Sequence, residues 1–132
     1  MSNPETFGGF LHNKRLEKRF SLRKFAEMLK ISPVYLCDME KDRNPAPSED
    51  ILNRMVKLLL LTEAERPYFY DLAAKSKTAT TVPQDLPEYI MNRDIVRVAL
   101  RTAKDVDATD EEWQEFISML EAKKKTNQEE RK

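Results

Sequence analysis

An all-α fold is the reading this sequence imposes, and three observations carry it. Only 2 of its 132 residues are glycine and 35% are charged, and no valine- or threonine-rich run alternates apolar with polar residues, so the signature of a half-buried strand is missing. Apolar residues instead recur at helical spacing, as in Leu22, Phe25, Ala26 and Leu29, and again in Trp113, Phe116, Ile117 and Leu120. Capping residues stand before these runs. Ser21, Ser32 and Ser48 precede apolar stretches, and T-x-x-E boxes begin at Thr62 and Thr109. Each offers a side-chain oxygen to an unpaired N–H of a first turn.

The first helix is expected over Thr6 to Arg19, with Phe7, Phe10 and Leu11 on one side and a first turn weakened by Gly8 and Gly9. Ser21 to Leu29 forms the second, where the small Ala26 lets a neighbouring helix cross closely. Ser32 caps the third, and Pro33 takes its first turn, where a missing N–H costs nothing. That register turns Val34 outward and makes Tyr35, Leu36 and Met39 available to the inner face. Pro45 and Pro47 hold a loop over residues 42–47. Ser48 caps a fourth helix carrying Ile51, Met55, Leu58 and Leu59. A fifth begins in the box at Thr62 or at Pro67, and buries Phe69, Leu72 and Ala73. The result is a five-helix domain over residues 1–75.

Residues 76–88 contain Thr78, Thr80, Thr81, Pro83 and Pro87 without helical period, and read as a linker. A C-terminal helical extension follows over residues 89–122. It opens with a turn from Pro87 to Met91, then a helix capped by Asn92 with Ile95, Val98, Ala99 and Thr102 on one face. A turn at Asp105–Ala108 leads to the helix of the Trp113 stripe. That stripe packs on the helices over 92–104 and 67–75, or forms a dimer seam or a docking face. Residues 123–132, rich in Lys, Gln and Glu, are expected to fray or be disordered.

The formal net charge is zero but unevenly spread. Residues 1–45 carry nine Lys/Arg against six Asp/Glu, whereas residues 83–122 carry four against ten. The basic half suits phosphate contacts and the acidic block would repel them. One cysteine, Cys37, excludes an internal disulfide framework and fits a reducing cytosol. The single histidine, His12, leaves no zinc cluster and no His-based triad. Asp105, Asp107, Asp110 and Glu111 lack the spacing of a calcium loop and read as turn and cap residues. No glycine-rich phosphate loop occurs, so neither cofactor nor enzymatic activity is expected. The longest apolar run, Leu58 to Leu61, is too short for a membrane span, and no signal peptide is visible. A cytoplasmic location follows as an expectation.

Helix, tight turn and helix over residues 21–40 make a helix-turn-helix, whose second helix commonly enters the major groove of DNA. From about Phe7 to Leu72 the chain resembles the XRE family, the Cro and phage-repressor type of helix-turn-helix regulator. The resemblance rests on Arg15, the Ser21–Leu29 helix, the run Ile31-Ser32-Pro33-Val34-Tyr35-Leu36, Met39-Glu40 and the pair Asn44-Pro45. It implies a repressor-like five-helix domain binding double-stranded DNA as a homodimer on two half-sites. Arg15 and Glu40 would be a structural ion pair between the first helix and the recognition helix. Pro33, Val34 and Asp38 would occupy the base-reading positions. Contacts to phosphates would come from Arg23, Lys24, Ser32, Tyr35, Lys41, Arg43 and Asn44.

Two positions depart from the family pattern. Leu22 stands where a glutamine is frequent, which removes a polar DNA contact. Lys30 replaces the turn glycine, at a cost of about 1 kcal/mol in a left-handed conformation. Base readers are usually Arg, Gln or Asn. Val34 can instead meet a thymine methyl and Asp38 a cytosine amino group, although Asp38 also repels phosphates. Each cation has an ordinary solvated role as its alternative, and Cys37 reads as a half-buried packing residue. The expected function is operator binding with repression by occlusion. The rivals are an antitoxin whose segment 83–122 meets a basic toxin, and an interaction module with a degenerate helix-turn-helix.

Overall fold

Hydroxyl groups start the first three helices. Thr6 Oγ1 accepts from the N–H of Gly9, Ser21 Oγ from that of Lys24 and Ser32 Oγ from that of Tyr35. In the computed structural model, which describes residues 5–130 and side chains through Gln128, these caps open α1 (Phe7–Glu17), α2 (Leu22–Leu29) and α3 (Pro33–Glu40). The chain continues through α4 (Glu49–Leu58), α5 (Glu65–Lys75), α6 (Pro87–Asn92), α7 (Asp94–Asp105) and α8 (Asp110–Glu130). Among the described residues there are eight helices and no strand. The all-α class is the expected one, with α1 to α5 followed by three further helices.

The helices end with little help from glycine. Arg19, Lys30, Asp42, Leu60 and Asp107 adopt left-handed backbone angles just past helix termini, a position that glycine usually fills. Both glycines are used elsewhere. Gly8 lies where α1 begins against the end of α3. A Cβ there would fall within 2.8 Å of the Glu40 carbonyl oxygen and closer still to that of Met39. Glycine at this position therefore does not weaken α1. It permits the approach that fixes it, and Asp42 completes the joint by accepting from Gly8 N–H (3.0 Å) and Thr6 Oγ1 (2.7 Å).

Two compact units divide between Tyr89 and Ile90. In the first, α1 packs on α3 and α5, while α2 packs on α3 and α4. Phe7, Leu11, Phe25, Ala26, Leu29, Leu36, Met39, Met55, Leu59 and Phe69 are fully buried between them. The helical stripes place these side chains on one side of each helix, and their burial drives the assembly. Phe7 and Phe10 meet Phe69 with ring centroids 5.3 and 5.8 Å apart, joining α1 to α5. In α4 the deepest positions are Leu52 and Met55, whereas the expected Ile51 and Leu58 lie at the edge of the core. Arg54 Nη1 donates to the Leu29 carbonyl (2.6 Å), closing the C-terminus of α2. The Thr62 box forms reciprocally with Glu65, and Pro67 sits inside the first turn of α5.

The segment after α5 is extended but anchored. Ser76 Oγ accepts from Ala46 N–H (2.8 Å), and Gln84 Nε2 donates to Asn53 Oδ1 (2.7 Å), which also receives the Tyr70 hydroxyl (3.1 Å). In the second unit, Asn92 ends α6, and the N-cap of α7 is Arg93, which makes no side-chain cap bond. Arg97 Nη1 instead reaches back to the carbonyls of Ile90 (2.8 Å) and Met91 (2.7 Å). Thr109 and Glu112 form the expected box at α8. The stretch from Lys123, expected to fray, continues α8 to Glu130.

Gly8→Ala is expected to cost about 2 kcal/mol or more, as forced overpacking does, read as a lower urea midpoint with an unchanged slope. A second expectation concerns pH. The Lys14 ammonium between Glu65 and Glu17 joins α1 to α5 and holds the Glu65 carboxyl below the ordinary 4.5. A carboxyl lowered on folding stabilises the fold above its unfolded value, and that contribution fades as pH falls through the folded one. Denaturant titrations below pH 5 are expected to show a shallower loss of stability in Glu65→Gln than in the parent.

Candidate nucleic-acid interface

The turn between α2 and α3 positions the face that matters. Lys30 takes φ 61° and ψ 42°, and Ile31 N–H returns to the Ala26 carbonyl at 3.0 Å. Phe25, Ala26 and Leu29 face inward from α2, and Leu36 and Met39 from α3. Two short helices locked by a left-handed turn over a shared core define a helix-turn-helix. The outer side of α3 is left to solvent, with Val34 71% exposed beside the exposed Pro33.

A buried ion pair fixes the other end of α3. Arg15 Nε donates to Glu40 Oε2 (2.7 Å) and Nη2 to Oε1 (3.0 Å), a two-point contact. The Arg15 and Glu40 side chains are 9% and 5% exposed. Arg15 Nη1 also donates to the Phe20 carbonyl (2.9 Å) in the loop before α2, so one guanidinium links α1, that loop and α3. His12 Nδ1 lies 2.7 Å from Glu40 Oε1. The sequence signalled Arg15 and Glu40 but not His12, which sits one turn before Arg15 on the same face of α1. Cys37 is half-buried and lines a shallow depression with His12, Arg15 and Glu40.

Among the residues marked out for phosphates, Arg23, Lys24, Lys41 and Arg43 are exposed, at the start of α2 and just beyond α3. Ser32 is exposed with its hydroxyl engaged as the α3 cap, while Tyr35 and Asn44 are half-buried. Asn44 N–H lies 3.4 Å from the Asp38 carbonyl. Asp38 is not a bare charge. Arg43 Nη1 stands 3.3 Å from its carboxylate, and Arg43 N–H donates to its carbonyl at 2.8 Å. That contact offsets the repulsion Asp38 would exert on a phosphate, and it also draws on a cation that a phosphate would use. A five-residue separation with an intervening helix end carries no sequence signature of this pairing.

No family model matches the chain, and no curated protein matches it. One solved structure, described as the SinR protein/SinI protein complex, is similar at 19% identity and a TM-score of 0.44. The match covers 91% of this chain and 99% of that one. No helix among the described residues is long and apolar enough to cross a membrane.

Removing one partner of the buried pair leaves a charge without compensation. Glu40→Ala is expected to cost about 3–5 kcal/mol, and the joint change Arg15→Met with Glu40→Leu much less than that. Chemical denaturation of the two variants checks the difference. Equal losses would mean that the contact is worth more than the isolation of one charge.

Proposed function

We propose that this protein is a DNA-binding transcriptional regulator of the XRE type, without catalytic activity. It acts in the cytoplasm, as a homodimer on two half-sites, and represses by covering a promoter. One observation carries the reading. The start of α3 presents Val34 to solvent, and exposed cations stand at the start of α2 and just past α3. A recognition helix needs both parts: side chains near its N-terminus for base edges, and surrounding cations for phosphates. Val34 would meet a thymine methyl, Pro33 would set the approach of the backbone, and Asp38 would accept from a cytosine amino group. Arg23, Lys24, Lys41 and Arg43 would set register, with Ser32, Tyr35 and Asn44 as neutral contacts.

The Asp38–Arg43 contact and the apolar Leu22 favour a second reading, an interaction module that keeps the fold without DNA binding. The two separate in one titration. Protein is added to duplex from upstream of its own gene, and to scrambled duplex, across a range of salt. The expected result is preference for the upstream duplex and a linear fall of log affinity with log salt. Lys41→Ala with Arg43→Ala is expected to lower affinity about tenfold or more at low salt and to flatten the slope by about 2. Asp38→Asn is expected to raise affinity for scrambled duplex, since it removes an anion from the face, and to narrow the preference for the upstream duplex, since it weakens the acceptor for the cytosine amino group. Equal, salt-insensitive binding to both duplexes would overturn the proposal and support the interaction module.

A further inference from the structure

A cleft of about 410 Å³ lies where the start of α1, the turn after α3 and the end of α5 converge. Three hydrogen bonds fix these elements to one another. The Asp42 carboxylate ties the turn to α1 through Thr6 and Gly8, and Ala46 N–H ties it to α5 through Ser76 Oγ. The cleft is therefore preformed, and a ligand entering it has no chain segment to order first. Phe7, Pro45 and Leu72 form the apolar part of its lining.

The polar part of the lining divides by charge. Its carboxylates are already engaged, Asp42 by Thr6 and Gly8, and Glu5 by the Tyr68 hydroxyl (2.6 Å). The last carbonyls of α5 are engaged as well, because those of Leu72, Ala73 and Ala74 accept from the N–H groups of Ser76 and Lys77. The cations are more open. Arg43 turns Nη1 toward Asp38 while its side chain remains 64% exposed, and Lys75 stands exposed in the last turn of α5. Apolar walls beside two accessible cations suit a small amphipathic anion, whose body leaves water while its charge is met by N–H donors. We propose that this cleft binds a small monocarboxylate with an aliphatic or aromatic body. The body lies against Phe7, Pro45 and Leu72, and the carboxylate is held between Arg43 and Lys75. Binding requires no DNA, but its consequence rests on the DNA reading proposed above. Arg43 and Asn44 line the cleft and are also the proposed phosphate contacts past α3. A bound carboxylate withdraws Arg43 from the duplex, so the ligand lowers DNA affinity, and by linkage the duplex lowers ligand affinity by the same factor.

Amide NMR of the full chain without DNA tests the site, with phenylacetate and hexanoate as probes and phenylacetamide and acetate as controls. Shifts at Phe7, Arg43, Asn44 and Ser76 are expected to saturate with a Kd of about 1 mM, an ordinary value for a ligand of about ten non-hydrogen atoms. Phenylacetamide, which lacks the charge, and acetate, which lacks the body, are expected to bind about tenfold more weakly or worse. Lys75→Ala is expected to weaken phenylacetate about tenfold, and Lys75→Arg to keep it. Lys75 lies outside the proposed DNA contacts, so its Ala variant keeps the parent's duplex affinity as a reference. Phenylacetate at a level that saturates the parent is then expected to lower affinity for the upstream duplex several-fold in the parent and little in Lys75→Ala. No shifts with either probe at tens of millimolar, equal binding of phenylacetamide, or indifference to Lys75→Ala overturns the carboxylate site. Saturable binding that leaves duplex affinity unchanged supports the site and overturns its regulatory role. A protein that binds no duplex overturns the DNA reading and leaves the ligand titration to stand by itself.

Discussion

The Arg15–Glu40 contact is the constraint on which the helix-turn-helix unit depends. A short α3 has too few turns to be stable by propensity alone, and its outer side is given to solvent. It is held from within by Leu36 and Met39, and at its end by Glu40. Arg15 grips that end with two hydrogen bonds and spends a third on the Phe20 carbonyl. The loop before α2, and hence the start of α2, is set by the same guanidinium that sets the end of α3. Such a pair adds little net stability against an apolar replacement. Its contribution is geometric, because it fixes the angle at which α3 is presented.

A second clamp acts just beyond the first. Asp42 adopts a left-handed conformation after α3 and accepts from Thr6 and Gly8 at the start of α1. The carboxylate sits where the unpaired N–H groups of α1 point, an arrangement favoured by the helix dipole. The absent side chain of Gly8 lets the two termini approach. Glu40 and Asp42 thus tie α3 to both ends of the α1 face. The residues that follow, Arg43 and Asn44, leave this joint in a defined direction, while the cations of α2 are oriented by the Ser21 cap. A rigid inner frame with a solvated outer face is what a DNA-reading surface of the kind proposed would need if side chains are to meet base edges without reordering cost.

Much of this could be read from the sequence, and what could not has a physical reason. Caps and apolar periods are local, so the Ser21 and Ser32 caps of α2 and α3, the turn at Lys30 and the boxes at Thr62 and Thr109 were legible, whereas the Thr6 cap of α1 was not marked and Ser48, expected to cap α4, stands at the N-cap without a side-chain cap bond. The contacts that close helices over long separations were not legible. Asp42 reaches back 34 residues to Gly8, and Arg54 reaches 25 to Leu29. Nothing in the pattern around a lone glycine tells a weak first turn from a close approach. Arg97 likewise closes α6 from the next helix, which displaces the cap role that Asn92 suggested. On the outer side of α3, the exposure of Val34 followed from helical register. The meeting of Asp38 with Arg43 depends on how the chain turns after Glu40, and register alone does not give it.

The central claim is that the outer side of α2 and α3 is a DNA-binding surface presented by this inner frame. Amide NMR shifts, followed as duplex from upstream of the gene is added to isotope-labelled protein, test it most directly. The account expects the largest changes between Ser21 and Asn44, strongest at Ser21, Lys24, Ser32, Val34 and Tyr35, with the amides of Leu11 and Phe69 in the core nearly still. Changes confined to residues 90–128, or none at concentrations well above any specific binding constant, would contradict it.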